Sequence, residues 1–533
     1  MNVDAAVPMM PEDLVRLGAA ELARRIAGGV CTAREAVDAY VARIEAANPA
    51  LNAVVVQRFD AARAEADAAD ALQRSGAALG PLHGVPITIK EQFAVAGTPA
   101  TLGVAVVAND ETDGPLVARL RAAGAIVLGK TNVPQLLIYN EADNPVYGRT
   151  NNPWNLARSS GGSSGGEAAI LAAGGSSLGL GSDIGGSLRC PAHACGITSL
   201  KPTSGRLSNE DARGAGFAGG QTAIISQCGP MARNVEDLAL AMRVLAAPGQ
   251  EHFDPSVAPV PWREPAGIDV RGLRIAMYED DGFFAASPAV RRAVREAAAA
   301  LTALGAHVEA FVPPGVAEAM ATFFGILSAD GASGARTRLG GAKRDRRITG
   351  LLQSASLPNA LRPLAVAAVR AAGQVRLAGQ MAGIKPVSTS GYWSLIEAQA
   401  AYRRRFSAAL AHGRFDAILC PPHALPALTH GSSYFLAGAA SYSMIYNLLG
   451  MPAGVVPVTR VREDEAAPRA AGRDVVERAA AQVERDSDGL PIGVQVAAPH
   501  WREDVVLAVM AALESALRGG ESYPALPPAV TAS

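Results

Sequence analysis

The 533-residue chain is poor in lysine and cysteine. Its five cysteines (Cys31, Cys190, Cys195, Cys228 and Cys420) include no pair at CxxC spacing, so neither a disulfide framework nor a zinc site is expected. Reduced thiols of this kind lead us to expect a cytoplasmic location. Basic and acidic residues nearly cancel, 48 against 49, for a net charge of −1. That excludes the basic surface with which a protein displaces counterions from nucleic acid, and no nucleic-acid partner is expected. No run approaches the roughly 20 apolar residues of a membrane span. The start, MNVDAAVPMMPEDL, lacks the basic and apolar segments of a secretory signal, and none is expected. Basic residues are almost all arginine; only Lys90, Lys130, Lys201, Lys343 and Lys385 break the pattern. Lys130 and Lys385 are expected at the surface or in loops.

What is present is apolar and periodic. Apolar residues make up 49% of the chain, enough for a sizeable core. Thr32 and Glu35 have capping-box spacing ahead of Val37, Tyr40, Val41 and Ile44, which predicts a helix ended by Asn48-Pro49. A polar, alanine-rich helix is predicted over 60–75. GPLHGVPITIK (80–90) reads as a turn into a strand, with Val85, Ile87 and Ile89 on one face and Thr88 and Lys90 on the other. Helix-then-strand patterning over 113–129 points to an α/β fold. Helices are predicted over 167–173, 231–246 and 286–306, the last with Ser287 as cap and Pro288 at its first position. FDAILCPP, AGVVPV and LPIGVQVAAP read as buried strands, 460–488 as a solvated loop or helix, and 519–533 as a frayed tail. NPWNLARSS (152–160) does not read as a strand.

The chemistry-bearing stretch is 148–187, dense in glycine and serine yet interrupted by apolar anchors that a linker would not carry. Gly185-Gly186-Ser187 places two residues without side chains directly before a serine, so main-chain N–H groups can converge on one point. A serine hydroxyl needs such an oxyanion hole and a base to attack a carbonyl. A phosphate loop is the competing reading, but neither GxxxxGK[ST] nor GxGxxG occurs in the segment. Gly161-Gly162-Ser163-Ser164-Gly165 matches the GxSxG elbow formally; without a preceding strand the elbow is rejected. His423, His430 and His500 could complete a triad, but nothing singles one out. Lys90 ends an apolar strand, where desolvation disfavours its charge and makes a neutral, basic amine.

Together, GPLHGVPITIK, GGSSGG (161–166) and GSDIGGSLR (181–189) resemble the amidase-signature enzymes, in order and with matching gaps. Lys201-Pro202-Thr203, Gly229-Pro230-Met231-Ala232-Arg233 and LPIGVQVAAP followed by Trp501-Arg502-Glu503-Asp504 agree. The resemblance spans roughly residues 32–517. Within the family it is greatest to soluble bacterial amidases of the fatty acid amide hydrolase type, on TNVPQ (131–135), NPVYGRTNNPW (144–154), GGQTAIISQCGPMAR (219–233) and DPSVAPVPWRE (254–264). It implies an α/β fold with a large central mixed sheet flanked by helices. It also implies a catalytic triad of Ser187 as nucleophile, Ser163 after a cis peptide bond as relay, and Lys90 as base. Main-chain N–H groups of Ile184, Gly185, Gly186 and Ser187 would form the oxyanion hole. Ser164, Asp183 and Arg189 would orient the network, although a structural salt bridge explains the latter two equally well. Leu137 and Ile138 would line the acyl channel. No metal and no cofactor is implied, and a homodimer is the expected assembly.

The implied organisation is an N-terminal helical segment (1–75), an amidase-signature core (76–312), a helical insertion (313–400), the C-terminal part of the core (401–518) and the tail. In the insertion, Leu351, Leu352, Leu357, Leu361, Leu364 and Val366 interleave with Arg347, Arg362, Arg370 and Arg376. A lid over the acyl channel and an ordinary packed helix pair both fit this pattern. The implied substrate is a small molecule with a hydrophobic acyl or aryl amide, and the same acyl-enzyme chemistry would serve esters, anilides and carbamates. The alternative is the amidase component of a tRNA-dependent amidotransferase, which releases ammonia from glutamine.

Overall fold

A computed structural model describes residues 10–105, 108–210 and 220–527. Among them, eleven strands join one mixed sheet. In chain order these are β1 (Val54–Gln57), β2 (Pro86–Lys90), β3 (Ile126–Thr131), β4 (Leu178–Asp183), β5 (Thr198–Lys201), β6 (Gln227–Ala232), β7 (Arg274–Met277), β8 (His307–Ala310), β9 (Ala417–Cys420), β10 (Ala453–Arg460) and β11 (Pro491–Ala497). Across the sheet the order is β1-β3-β2-β4-β6-β5-β10-β11-β9-β7-β8. Helices cover both faces, so the central strands are buried at every position, β2, β3, β4 and β6 among them. The expected α/β architecture is the one found.

Register decides what can meet. β2 lies parallel to both β3 and β4, with Lys90 opposite Thr131 and Ile89 opposite Leu180. β6 runs antiparallel to β4 and sets Cys228 opposite Ser182. The carboxyl ends of β2 and β4 therefore sit side by side, where open α/β sheets place their ligands. The helix Gly165–Ala172, buried at all eight positions, packs behind this edge. Gly166 allows the approach: a Cβ there would lie 2.4 Å from the Asn132 main-chain nitrogen.

Several local expectations are met. Thr32 Oγ1 accepts from the Glu35 N–H at 3.0 Å, and Glu35 Oε2 accepts from the Thr32 N–H at 2.8 Å. Ser287 caps the helix Pro288–Ala303. Others are corrected. The helix Ala33–Leu51 continues through Pro49 and ends at Asn52, whose φ is 51°. A proline in the last turn removes a single hydrogen bond, too little to stop the helix. Met231 and Ala232 belong to β6, and the following helix is Val235–Leu245; ladder pairing to β4 and β5 overrides the helical pattern.

NPWNLARSS does contain a strand, Asn155–Ser159, paired with Asn151–Asn152 outside the main sheet. Lys130 is not at the surface but fully buried, its Nζ donating to the Pro99 carbonyl at 2.5 Å, whereas Lys385 is exposed. Within 460–488 the helix Val475–Glu484 buries Val476, Ala480 and Val483. In the tail, Tyr523 and Pro524 are buried, and 528–533 lie outside the described residues.

Residues 313–400 are largely helical. Of these helices, Arg346–Ala355 buries Ile348 and Leu352, while Arg362–Ala371 leaves Leu364 72% exposed. The helix Val375–Gly383 runs alongside it.

Candidate active site

Lys90 ends β2 with no exposed surface. Its Nζ lies 2.7 Å from Ser163 Oγ, 3.0 Å from Ser182 Oγ and 3.4 Å from the Ser182 carbonyl oxygen. Burial disfavours the ammonium and lowers the Lys90 pKa to about 7, although Asp183, Cys228 and Glu167 oppose the shift. Burial thus favours the neutral, basic amine. Ser163 follows a cis Gly162–Ser163 peptide bond. It is 2% exposed, and the Ser164 N–H donates to the Ser187 carbonyl at 3.1 Å, fixing the two serine loops against each other. Among the described residues no hydrogen bond joins the Ser163 and Ser187 hydroxyls to each other or to a histidine. His423, His430 and His500 instead hold main-chain carbonyls of Leu425, Leu156 and Leu449. The elbow reading thus lacks its base, even though a strand precedes Ser163.

The loop 184–188 leaves the end of β4 and leads into the helix Arg189–Cys195. Asp183 organises it. Its carboxylate accepts from the N–H groups of Gly186 (2.7 Å) and Leu188 (3.1 Å), and pairs with Arg189 at 2.9 Å. Asp183 and Arg189 are both fully buried. Burial opposes the Asp183 charge, but the Arg189 guanidinium and the loop N–H groups hold the carboxyl well below its usual range. Because the Gly186 N–H is committed to Asp183, the N–H groups of Ile184, Gly185 and Ser187 are those without a partner among the described residues. Gly186 has φ 106°, and a Cβ there would sit 2.6 Å from Cys190 Sγ.

Arg189 also donates to Asn447 Oδ1 (2.6 Å), Gln495 Oε1 (2.7 Å) and the Ser443 carbonyl (2.9 Å). Asn447 and Gln495 escape sequence reading, since they lie far along the chain with nothing local to mark them. Glu167 also escapes it. Fully buried, it accepts hydrogen bonds from Thr88 and Thr131, and burial raises its pKa to about 7.

Ser187 opens onto a cavity of ≈580 Å³ whose wall includes Ile184 and Gly185, Leu137 and Ile138, and Phe324, Leu351, Leu377 and Met444. The helical segment 316–384 supplies much of this wall. Among the described residues no cluster of three or more histidine, cysteine, aspartate or glutamate side chains could hold a metal, and no helix is long and apolar enough to cross a membrane.

The chain is similar to known proteins over most of its length. The amidase family model matches residues 35–507. Fatty-acid amide hydrolase 1 of Sus scrofa is 35% identical over 518 residues, covering 96% of this chain and 87% of its own. A solved fatty acid amide hydrolase structure superposes with a TM-score of 0.82 at 27% identity, over 95% of this chain and 86% of that one. A glutamyl-tRNA(Gln) amidotransferase chain of Roseiflexus castenholzii is 39% identical over 342 residues, covering 63% of this chain and 68% of its own. The chain belongs to the amidase family, the amidase-signature enzymes that hydrolyse amide bonds.

Proposed function

We propose that the protein hydrolyses small-molecule amides with a hydrophobic acyl or aryl group through a covalent acyl-enzyme, with Ser187 as nucleophile, Ser163 as relay and Lys90 as base. The observation that carries this reading is the neutral-prone Lys90 amine 2.7 Å from Ser163 Oγ, beside an apolar cavity that opens on Ser187. Lys90 takes the Ser163 proton as Ser163 takes that of Ser187, whose Oγ attacks the amide carbonyl. The hydroxyls meet by rotation of the Ser187 side chain, since catalytic hydrogen bonds often tighten only once substrate is bound.

The free N–H groups of Ile184, Gly185 and Ser187 stabilise the oxyanion, and Asp183 and Arg189 hold the loop that aims them. The relay then returns its proton to the leaving nitrogen, because an amide anion is a poor leaving group. Water attacks the acyl-enzyme by the reverse route and releases the acid. Leu137 and Ile138 contact the acyl or aryl group. Esters, anilides and carbamates fit the same chemistry. The segment 348–381 serves as a cover of the cavity.

The second reading, release of ammonia from glutamine within an amidotransferase, is favoured by the resemblance to the Roseiflexus amidotransferase chain. The apolar wall suits a glutamine side chain and its charged α-groups poorly. The test is intact mass after reaction with a fluorophosphonate, with wild type and Ser187→Ala in parallel. One adduct on the Ser187 peptide, absent from the variant, is expected, and turnover of an aryl amide without a partner chain. An adduct on Ser163 would overturn the roles, and activity on glutamine alone, only with added partner chains, would favour the second reading.

A further inference from the structure

The direction of the Lys90 lone pair is set by atoms outside the triad. A neutral amine has two N–H groups and one lone pair, and three oxygens surround Lys90 Nζ: Ser163 Oγ, Ser182 Oγ and the Ser182 carbonyl. The carbonyl can only accept. The Ser182 hydroxyl has a single hydrogen, and that hydrogen is directed at Gln92 Oε1, 2.6 Å away. Gln92 Oε1 carries no hydrogen to offer in return. Neither Ser182 atom therefore has a hydrogen to offer Lys90, and the Ser163 O–H is the group left to meet its lone pair. Gln92 and Ser182 are both buried, and the Gln92 amide turns its oxygen toward the Ser182 hydroxyl.

We propose that Gln92 and Ser182 are positioning residues that aim the lone pair of Lys90 at Ser163, Gln92 acting only through the hydroxyl of Ser182. The inference rests on the function proposed above. In a histidine-based triad a carboxylate fixes the base in this way; here a neutral amide does so without adding a charge that would hold Lys90 protonated. With Gln92 removed, the Ser182 hydroxyl is free to donate to the Lys90 lone pair and competes with Ser163 for it. The charged or titratable groups facing Lys90 are Asp183 on β4, Cys228 on β6 and Glu167 on the helix behind, and none is altered by these substitutions.

The experiment measures kcat, KM and their pH profiles on a soluble aryl amide for Gln92→Met, Ser182→Ala, the double variant and Ser182→Thr. Gln92→Met is expected to lower kcat about tenfold, part of the ~10²–10⁴-fold that a positioned base contributes, with KM unchanged. Its acid limb should move to lower pH, because a hydroxyl donating to the amine favours the neutral form. In the Ser182→Ala background the same substitution should change nothing further, and Ser182→Thr should retain most activity. Equal losses from Gln92→Met in both backgrounds, or an unchanged kcat, would overturn the inference. Should Gln92→Met fail to fold, Gln92→Leu removes the acceptor in the same way and should show the same loss of kcat; an unchanged kcat there overturns the proposal. Lys90→Met at the wild-type rate would overturn the base assignment and this inference together. An inactive Lys90→Met beside an unimpaired Gln92→Met would overturn this inference alone.

Discussion

Replacing Lys90 by methionine should remove activity and make the fold more stable, by an amount that depends on pH. Lys90 is fully buried, and desolvation moves its pKa from an ordinary 10.5 to about 7. The unfolded chain keeps that proton up to about pH 10, so it binds more protons than the folded state throughout the interval between. Stability of the wild type therefore rises with pH from 7 towards 10. At about 1.4 kcal/mol per pH unit, the lysine costs the fold about 4 kcal/mol at pH 7 and about 2 kcal/mol at pH 9. Methionine of similar length carries no such cost, although Ser163 and Ser182 lose a partner at either pH.

The stability difference between variant and wild type should thus shift by about 2 kcal/mol in favour of the variant between pH 9 and pH 7. Lys201, buried and likewise lowered to about 7, is present in both proteins and cancels. Denaturant or thermal unfolding of the two proteins at both pH values reads the shift. In parallel, wild-type kcat/KM should fall about tenfold per pH unit below pH 7, as the protonated amine can no longer act as base. A stability difference that is the same at pH 7 and 9, or a rate still climbing through pH 10, would refute the reasoning, since either implies a lysine in contact with water.

Three further outcomes are expected. Arg189→Met leaves the buried Asp183 carboxylate without its counter-ion and should cost about 3–5 kcal/mol, read as a large fall in Tm, with loss of fluorophosphonate labelling at Ser187 as the loop relaxes. Glu167→Gln should grow more stable relative to wild type as pH rises: burial lifts the Glu167 pKa from 4.5 to about 7, so wild type loses about 3 kcal/mol between pH 4.5 and 7 that a glutamine does not, a difference measurable by unfolding at pH 5 and 8. Ile138→Trp narrows the cavity and should raise KM several-fold for long acyl or bulky aryl amides while leaving acetyl amides unaffected, in steady-state assays across chain length; equal effects on both would remove Ile138 from the binding wall.

Local signals are legible where the chain itself carries the interaction. The capping box of Thr32 and Glu35 is a contact across one turn, and Ser287-Pro288 begins a helix for reasons within two residues. The motif serines and Lys90 stand out because glycine-rich loops and a strand-end lysine are conspicuous against an arginine-rich background. Legibility ends where a neighbour in space outweighs the local pattern. Met231 and Ala232 carry a helical pattern but lie in β6, since ladder bonds on both sides exceed helical propensity. Lys130 looks like a surface residue because nothing in its own strand announces that helices cover both faces.

The sequence by itself determined many of the elements, the α/β class, the strand that ends in Lys90 and the loops that carry Ser163 and Ser187, because capping, periodicity and glycine content act over a few residues. Tertiary structure alone decided which groups meet. Register between β2 and β4 brings Lys90 to Ser182, 92 positions away, and through it to Gln92. It also favours the neutral form of the lysine, which depends on how completely water is excluded, and it gave the Gly186 N–H to Asp183. Desolvation and hydrogen-bond competition are sums over all surrounding atoms, and those atoms are assembled only when the sheet closes.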